Sequence, residues 1–313
     1  MTLTELRYIV AVARERHFGR AAESCFVSQP TLSVAIKKLE DELGMTIFER
    51  GPGEVSVTPL GRAVVGQAQR VLEEAARVKE IAVAGSDPVA GNLRFGAIYT
   101  IGPYLLPKLI PVIRRTLPSM QLLLQENLTH RLAELLKHGE VDAILIALPF
   151  DEPGVVTWPL YDEPFFVAMP QGHRWEKKKS ITVDELTRES LLLLGEGHCL
   201  RDQVLDFCRS ANRAANRSGL ARSFEGSSLE TIRQMVAGGV GVTVLPSTSI
   251  GAGGAANDLI RIRAFAKPVP ERRVALAWRR SFPRRQAIES LRGAILACEL
   301  SQVVKLHDAA ASN

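Results

Sequence analysis

From residue 92 onward, short apolar runs alternate with stretches of helical period, and this alternation constrains the fold more than any other feature of the chain. The spacing predicts strands over 93–98, 122–126, 143–148, 165–169, 191–194, 241–245 and 274–278. It predicts helices over 103–115, 130–137, 200–210 and 229–237. Strands that alternate with helices imply βαβ units and a parallel sheet. A stretch of about 220 residues with so many strands fits two α/β lobes better than one. Ligands of such sheets sit beyond the carboxyl ends of the strands, where helices begin. Thr100, Thr129 and Cys199 all fall at such junctions. Thr129 is expected to cap the helix starting at His130, and Ser227 to open a capping box with Glu230.

The first 58 residues have a different pattern. Leu6, Ile9, Val10 and Ala13 mark a first helix, and Phe18–Phe26 reads as a short second one. The turn is Val27-Ser28-Gln29-Pro30, with Ser28 placed to cap and Pro30 early in the helix that follows. Leu32, Ile36, Leu39 and Leu43 recur at steps of four, three and four, so that stripe faces a core. Gln29, Thr31, Ser33 and Lys37 then occupy the other face. This is the arrangement of a helix-turn-helix, whose second helix enters the DNA major groove with its N-terminal residues. Two short strands around Gly51-Pro52-Gly53 would add a wing, with Arg50 in reach of a phosphate or the minor groove. A small helical bundle with solvated polar faces is the plainer alternative.

Thr58-Pro59 opens a third region. Val64, Ala68, Val71, Ala75, Val78 and Ala82 form a heptad seam, expected to pair with a second copy of the chain rather than pack on its own body. Ser86-Asp87-Pro88-Val89-Ala90-Gly91 ends it as a hinge. The organisation expected is therefore a winged helix-turn-helix at 1–58, a linker and dimerisation helix at 59–87 and a hinge at 88–91. After these come lobe I at 92–163 and 269–300, lobe II at 164–268, and a tail at 301–313.

Cys199 and Cys208 lie nine positions apart in a predicted helix. At 1.5 Å per residue their Cα atoms would stand about 13 Å apart, whereas a disulfide needs about 7 Å or less. If they pair, the segment between them changes shape, which is the logic of a redox switch. His198, Arg201 and the helix start can each favour a Cys199 thiolate. Cys25 and Cys298 sit in apolar helical patterns and read as buried, inert thiols.

Four cysteines in 313 residues are too few for a secreted disulfide scaffold. No apolar run reaches the ~18 residues of a membrane span, and the start lacks the regions of a signal peptide. The expected location is therefore the cytoplasm, with no membrane partner. Net charge is +5, but residues 1–60 are not net basic. Charge alone does not point to DNA. No Walker or dinucleotide fingerprint is present, so no cofactor is expected. Zinc is not expected either, because His198, Cys199 and Cys208 offer no fourth ligand at a recognisable spacing.

Over essentially its whole length the chain resembles a LysR-type transcriptional regulator. The resemblance rests on His17-Phe18, Val27 through Ser33, Lys38 through Gly44, Gly102 through Pro107, Asp162-Glu163-Pro164, Gly197 through Gln203 and Ser228 through Thr231. The paired-cysteine run resembles the peroxide-sensing members of that family, while the Gly- and Ala-rich run after Ile250 departs from them. The resemblance implies Cys199 as the peroxidatic and Cys208 as the resolving cysteine, with Thr100, Thr129, His130 and His198 around the peroxide; Arg201 is expected there too, as the cation nearest Cys199 in sequence. The expected DNA contacts are Gln29, Pro30, Thr31, Ser33, Lys37 and Arg50. The implied partners are double-stranded promoter DNA, a second copy and then a tetramer, RNA polymerase, hydrogen peroxide, and a glutaredoxin- or thioredoxin-type reductant. The implied role is control of oxidative-stress genes rather than enzymatic turnover. A family member sensing a small organic ligand is the alternative, and a thiol peroxidase would have no use for the helix-turn-helix.

Overall fold

The structure, a computed structural model, describes residues 1–50, 55–84, 87–214, 222–250, 258–308 and 310–311. The Gly51-Pro52-Gly53 turn and the run after Ile250 lie outside the described residues, as do the Arg50 and Ala82 side chains. The chain divides into two compact units. One is 1–91 with 137–140 and 281–283; the other is 92–136, 141–280 and 284–313.

The first unit begins with α1 (Leu3–Glu15), started by a Thr2–Glu5 capping box. α2 (Phe18–Ser24) and α3 (Gln29–Leu43) follow. Ser28 caps α3 by accepting from the Thr31 N–H at 3.3 Å, and Gly44 ends it at φ 66°, in the left-handed region where glycine carries no Cβ penalty. Leu32, Ile36 and Leu39 are fully buried against Ile9, Val12 and Ala21. β1 (Phe48–Arg50) and β2 (Val55–Val57) pair antiparallel, Phe48 opposite Val57.

α4 (Pro59–Ala84) corrects the seam expectation in part. Val64, Ala68 and Val71 join the core of the helix-turn-helix, with Ala68 2% exposed. α1 is apolar on more than one face, so it covers the first turns of α4 as well as α2 and α3. Further along, Val78 is 68% exposed and carries the seam beyond that core.

The second unit runs β3 (Gly91–Ile98), α5 (Gly102–Thr116), β4 (Met120–Asn127), α6 (Thr129–Lys137), β5 (Ala143–Ala147) and β6 (Val155–Pro170). It continues with β7 (Ser180–Ile181), α7 (Val183–Leu186), β8 (Ser190–Leu194), α8 (Cys199–Ala214), β9 (Arg222–Gly226), α9 (Leu229–Ala237) and β10 (Val242–Pro246). A 3-10 turn (Ser247–Ser249), β11 (Ile260–Phe265), β12 (Glu271–Arg279), α10 (Arg285–Ala297) and β13 (Val304–Lys305) complete it. The sheet order is β4-β3-β5-β12-β6-β10-β8-β9, with β11 and β13 also on β6, and β7 on β11.

The sheet is mixed, not parallel as the alternation predicts. β3 with β5, and β8 with β9 and β10, are parallel, but β12 and β6 run against their neighbours. The reason is β6, a 16-residue strand that changes partner midway. Val155–Pro164 pairs with β12, and Phe165–Pro170 with β10 and β11. We infer that the lobes divide there. Two smaller readings also change. Ser228, not Ser227, caps α9 by accepting from the Thr231 N–H at 3.1 Å. Thr129 is the first residue of α6 and does not cap it, since its buried hydroxyl has no well-formed hydrogen-bond partner.

Leu39→Ala deletes a fully buried side chain and should lower the stability of the helix-turn-helix by about 2–5 kcal/mol, read by urea denaturation followed by far-UV circular dichroism.

Candidate functional site

Cys199 is the first residue of α8, and its position is set by Gly197 at φ +88°, a conformation glycine adopts freely. A Cβ at Gly197 would meet Leu128 at 3.1 Å and His130 Cε1 at 3.7 Å. The chain therefore passes close under the start of α6, which brings Thr129 to the thiol. Thr129 gives Cys199 a hydrogen-bonding contact of imperfect geometry, and that contact favours the thiolate. The Leu200 N–H, at the start of α8, acts in the same direction.

The cation at the site is Arg272, on β12. Its side chain is fully buried and every arm is engaged. Nε donates to Glu163 Oε2 at 2.7 Å, one terminal nitrogen to Thr100 Oγ1 at 2.9 Å, and the other to the Thr100 carbonyl at 2.9 Å. Glu163, also fully buried, accepts from the Thr248 N–H at 2.8 Å and from its hydroxyl. Thr100 is thus held on Arg272 at the end of β3, and the guanidinium bears electrostatically on Cys199.

Arg201, expected beside the thiol, points elsewhere. It donates to the Leu194 carbonyl at 3.0 Å and to Glu225 at 2.5 Å, because it lies on a face of α8 turned to the ends of β8 and β9. His198 packs against Tyr99 at 6.0 Å between centroids. Burial holds its pKa below the ordinary value, which disfavours the charged form beside a thiolate. His130 is exposed, beside Gly197.

The groups that favour the Cys199 thiolate are outweighed by burial. Cys199 is raised above the ordinary thiol value, first by burial, against the pull of Arg272 and then of Thr129. The residue retains some exposure to solvent; the sulfur itself is well surrounded by protein. Cys208 is 1% exposed and pushed up to about 12 by burial alone. Both thiols are free. At 100° per residue, nine residues turn the helix by about half a circle, so the two cysteines leave α8 on opposite faces. Leu200, Val204 and Cys208 line its buried face at steps of four.

The site therefore joins Thr100, Thr129 and Cys199, with His198 and His130 at its margin. Arg272, Glu163 and Thr248 are the residues that pattern reasoning missed. A signal was present: in Glu271-Arg272-Arg273-Val274 the side chains alternate faces, so one of two adjacent arginines must point inward and needs a buried partner.

On α3, Gln29, Pro30 and Thr31 are exposed and Ser33 is half-buried. The Thr31 and Ser28 hydroxyls lie 2.8 Å apart, and Lys37 pairs with Asp41 at 2.9 Å. Val34, 69% exposed on the same helix, was not anticipated.

Two family models cover most of the chain. Residues 3–62 match the bacterial regulatory helix-turn-helix of the lysR family, and 86–297 match the LysR substrate binding domain. The chain belongs to the LysR family of bacterial transcriptional regulators. Among its relatives, this LysR-type regulator is 40% identical to the DNA-binding transcriptional dual regulator OxyR of Escherichia coli K12, over 95% of each chain. A full-length OxyR variant from Pseudomonas aeruginosa has a similar fold, with TM-score 0.78 and 54% identity over 98% of each chain. A reduced OxyR from N. meningitidis covers 69% of this chain and 99% of its own, with TM-score 0.62 and 46% identity.

Because burial raises Cys199, its alkylation by iodoacetamide should accelerate with pH through and beyond the ordinary thiol range, followed by peptide-resolved mass spectrometry. Arg272→Met alone strands a buried Glu163 at a cost of about 3–5 kcal/mol. Arg272→Met with Glu163→Gln removes both charges, and in that double variant alkylation at pH 8 should slow about tenfold, one pKa unit.

Proposed function

We propose that this LysR-type regulator senses hydrogen peroxide at Cys199 and converts the signal into a Cys199–Cys208 disulfide. The observation that carries the reading is the placement of a partly buried cysteine at a helix start, with Thr129 in contact and the cation of Arg272, which holds Thr100, bearing on it, nine residues ahead of a buried cysteine on the same helix. OxyR and the hydrogen peroxide-inducible genes activators are its relatives over nearly the full chain.

In this reading Thr100 and Thr129 bind the peroxide oxygens, and the Cys199 thiolate attacks one of them. The O–O bond breaks, the leaving oxygen departs as hydroxide and takes a proton to become water, and the sulfur becomes a sulfenic acid. Arg272 stabilises charge on the leaving oxygen, the role expected of Arg201. Cys208 is held protonated while α8 is intact. Unwinding α8 releases it, its thiolate attacks the Cys199 sulfur, and a second water leaves. A glutaredoxin- or thioredoxin-type dithiol returns the pair to the reduced state. Peroxide is consumed stoichiometrically, so the protein is a regulator rather than a peroxidase.

The output is on DNA. Gln29, Pro30, Thr31, Ser33, Lys37 and Arg50 contact double-stranded promoter DNA, with α3 in the major groove. The exposed part of α4 and the uncovered apolar side chains Ile110, Leu123, Leu124 and Phe224 supply surfaces for a dimer and then a tetramer. RNA polymerase is the further partner, and the cytoplasm the location. Among the described residues, no helix is long and apolar enough to cross a membrane.

A brief pulse of near-stoichiometric peroxide on the reduced protein, followed by thiol blocking and peptide mass spectrometry, should give a Cys199–Cys208 disulfide. It should be absent in Cys199→Ser. Both thiols remaining reduced would contradict the reading.

A further inference from the structure

The geometry points to Phe26 as a DNA contact: its ring, held out at the turn before α3, packs on an apolar edge of the duplex, either a thymine methyl or a deoxyribose. This rests on the reading of α3 as the helix that enters the major groove. Phe26 is 95% exposed, so it makes almost no packing contribution to the fold. Its backbone sits at φ +58°, a region that bulky side chains avoid and glycine or asparagine fills at little cost.

The hydrogen bonds show why the backbone must be there. The Val27 N–H donates to the Ala22 carbonyl at 3.0 Å and the Phe26 N–H to the Glu23 carbonyl at 3.0 Å. With Cys25 as the C-cap of α2, this is a Schellman motif in which Phe26 holds the left-handed position. Val27 completes it by packing on the helix-turn-helix core. A glycine would close the same turn more easily. The fold thus gains nothing visible from this aromatic and bears the cost of its backbone, the situation in which an outlier points to function.

The location selects the occupant. Phe26 stands two residues before Ser28, the N-cap of α3, and three before the exposed Gln29. The residues at the start of such a helix are those that reach base edges. Phenylalanine offers DNA no hydrogen bond and no charge, so its contact is apolar, as in the packing of side chains on thymine methyls.

The test uses the full-length reduced protein and a duplex that it selects from a random-sequence pool. Phe26→Gly should keep or raise the thermal midpoint while weakening DNA affinity about tenfold, as expected for one lost apolar base contact. The slope of affinity against salt should not change, because no phosphate charge is released. Phe26→Asn, which also tolerates the left-handed backbone, should behave alike. Replacing thymine by uracil in the duplex separates the two apolar edges. If the parent loses affinity on uracil DNA and the glycine variant does not, the ring sits on a methyl. If the loss from Phe26→Gly is the same on both duplexes, it sits on sugar.

Unchanged affinity in Phe26→Gly with a loss in Gln29→Ala overturns the proposal and leaves α3 as the reading helix. Unchanged affinity in both overturns that reading as well. A loss of self-association in place of a loss of DNA affinity also overturns it.

Discussion

The ion pair between Arg272 and Glu163 holds the second unit together at the point where its chemistry is placed. Both side chains are fully buried, and burying two charges is costly unless each is matched and hydrogen-bonded. Here they are. Arg272 spends its donors on Glu163 and Thr100, and Glu163 collects the N–H and hydroxyl of Thr248. The pair thereby ties β12, the crossing strand β6, the turn after β3 and the 3-10 turn after β10 into one network. Its residual field is what reaches Cys199. Removing any member loosens the lobes and alters the thiol together.

α8 contributes no side chain to this network. Its N-terminus carries the partly buried Cys199, while Leu200, Val204 and Cys208 anchor its other face in the core. A side chain of this kind contributes about 1.5–3 kcal/mol by burial. Drawing Cys208 out therefore costs a few kcal/mol, which a covalent bond can offset. In the proposed switch, burial of Cys208 disfavours its thiolate for as long as the helix is intact. The proposed disulfide would set that packing against a bond to be formed, giving two alternative states of one segment, the requirement for a switch.

Much of this was legible in the residues. The stripe Leu32, Ile36, Leu39 behind the Ser28 cap specified α3, because helical period, cap and turn all agreed. Thr100, Thr129 and Cys199 were legible as a set, since all three follow strands. Other features were not. Arg201 is near Cys199 in sequence, but rotation about the helix carries it to Glu225. Arg272 was missed because 73 positions separate it from Cys199, and only the antiparallel return of β12 beside β6 brings it close. The direction of that return depends on the partner change within β6, which alternation of strands and helices does not encode. The α4 seam looked free because a heptad pattern does not say that α1 will cover its first turns.

In the proposed switch, the reduced and oxidised states differ by the unwinding of α8. Amide hydrogen exchange over residues 199–208 tests it most directly, since helical protection reports opening of that segment. Slow exchange is expected in the reduced protein, with a large loss of protection confined to α8 and its neighbours after one equivalent of peroxide, restored by a dithiol. A Cys199–Cys208 disulfide that forms while these amides keep their protection would contradict it.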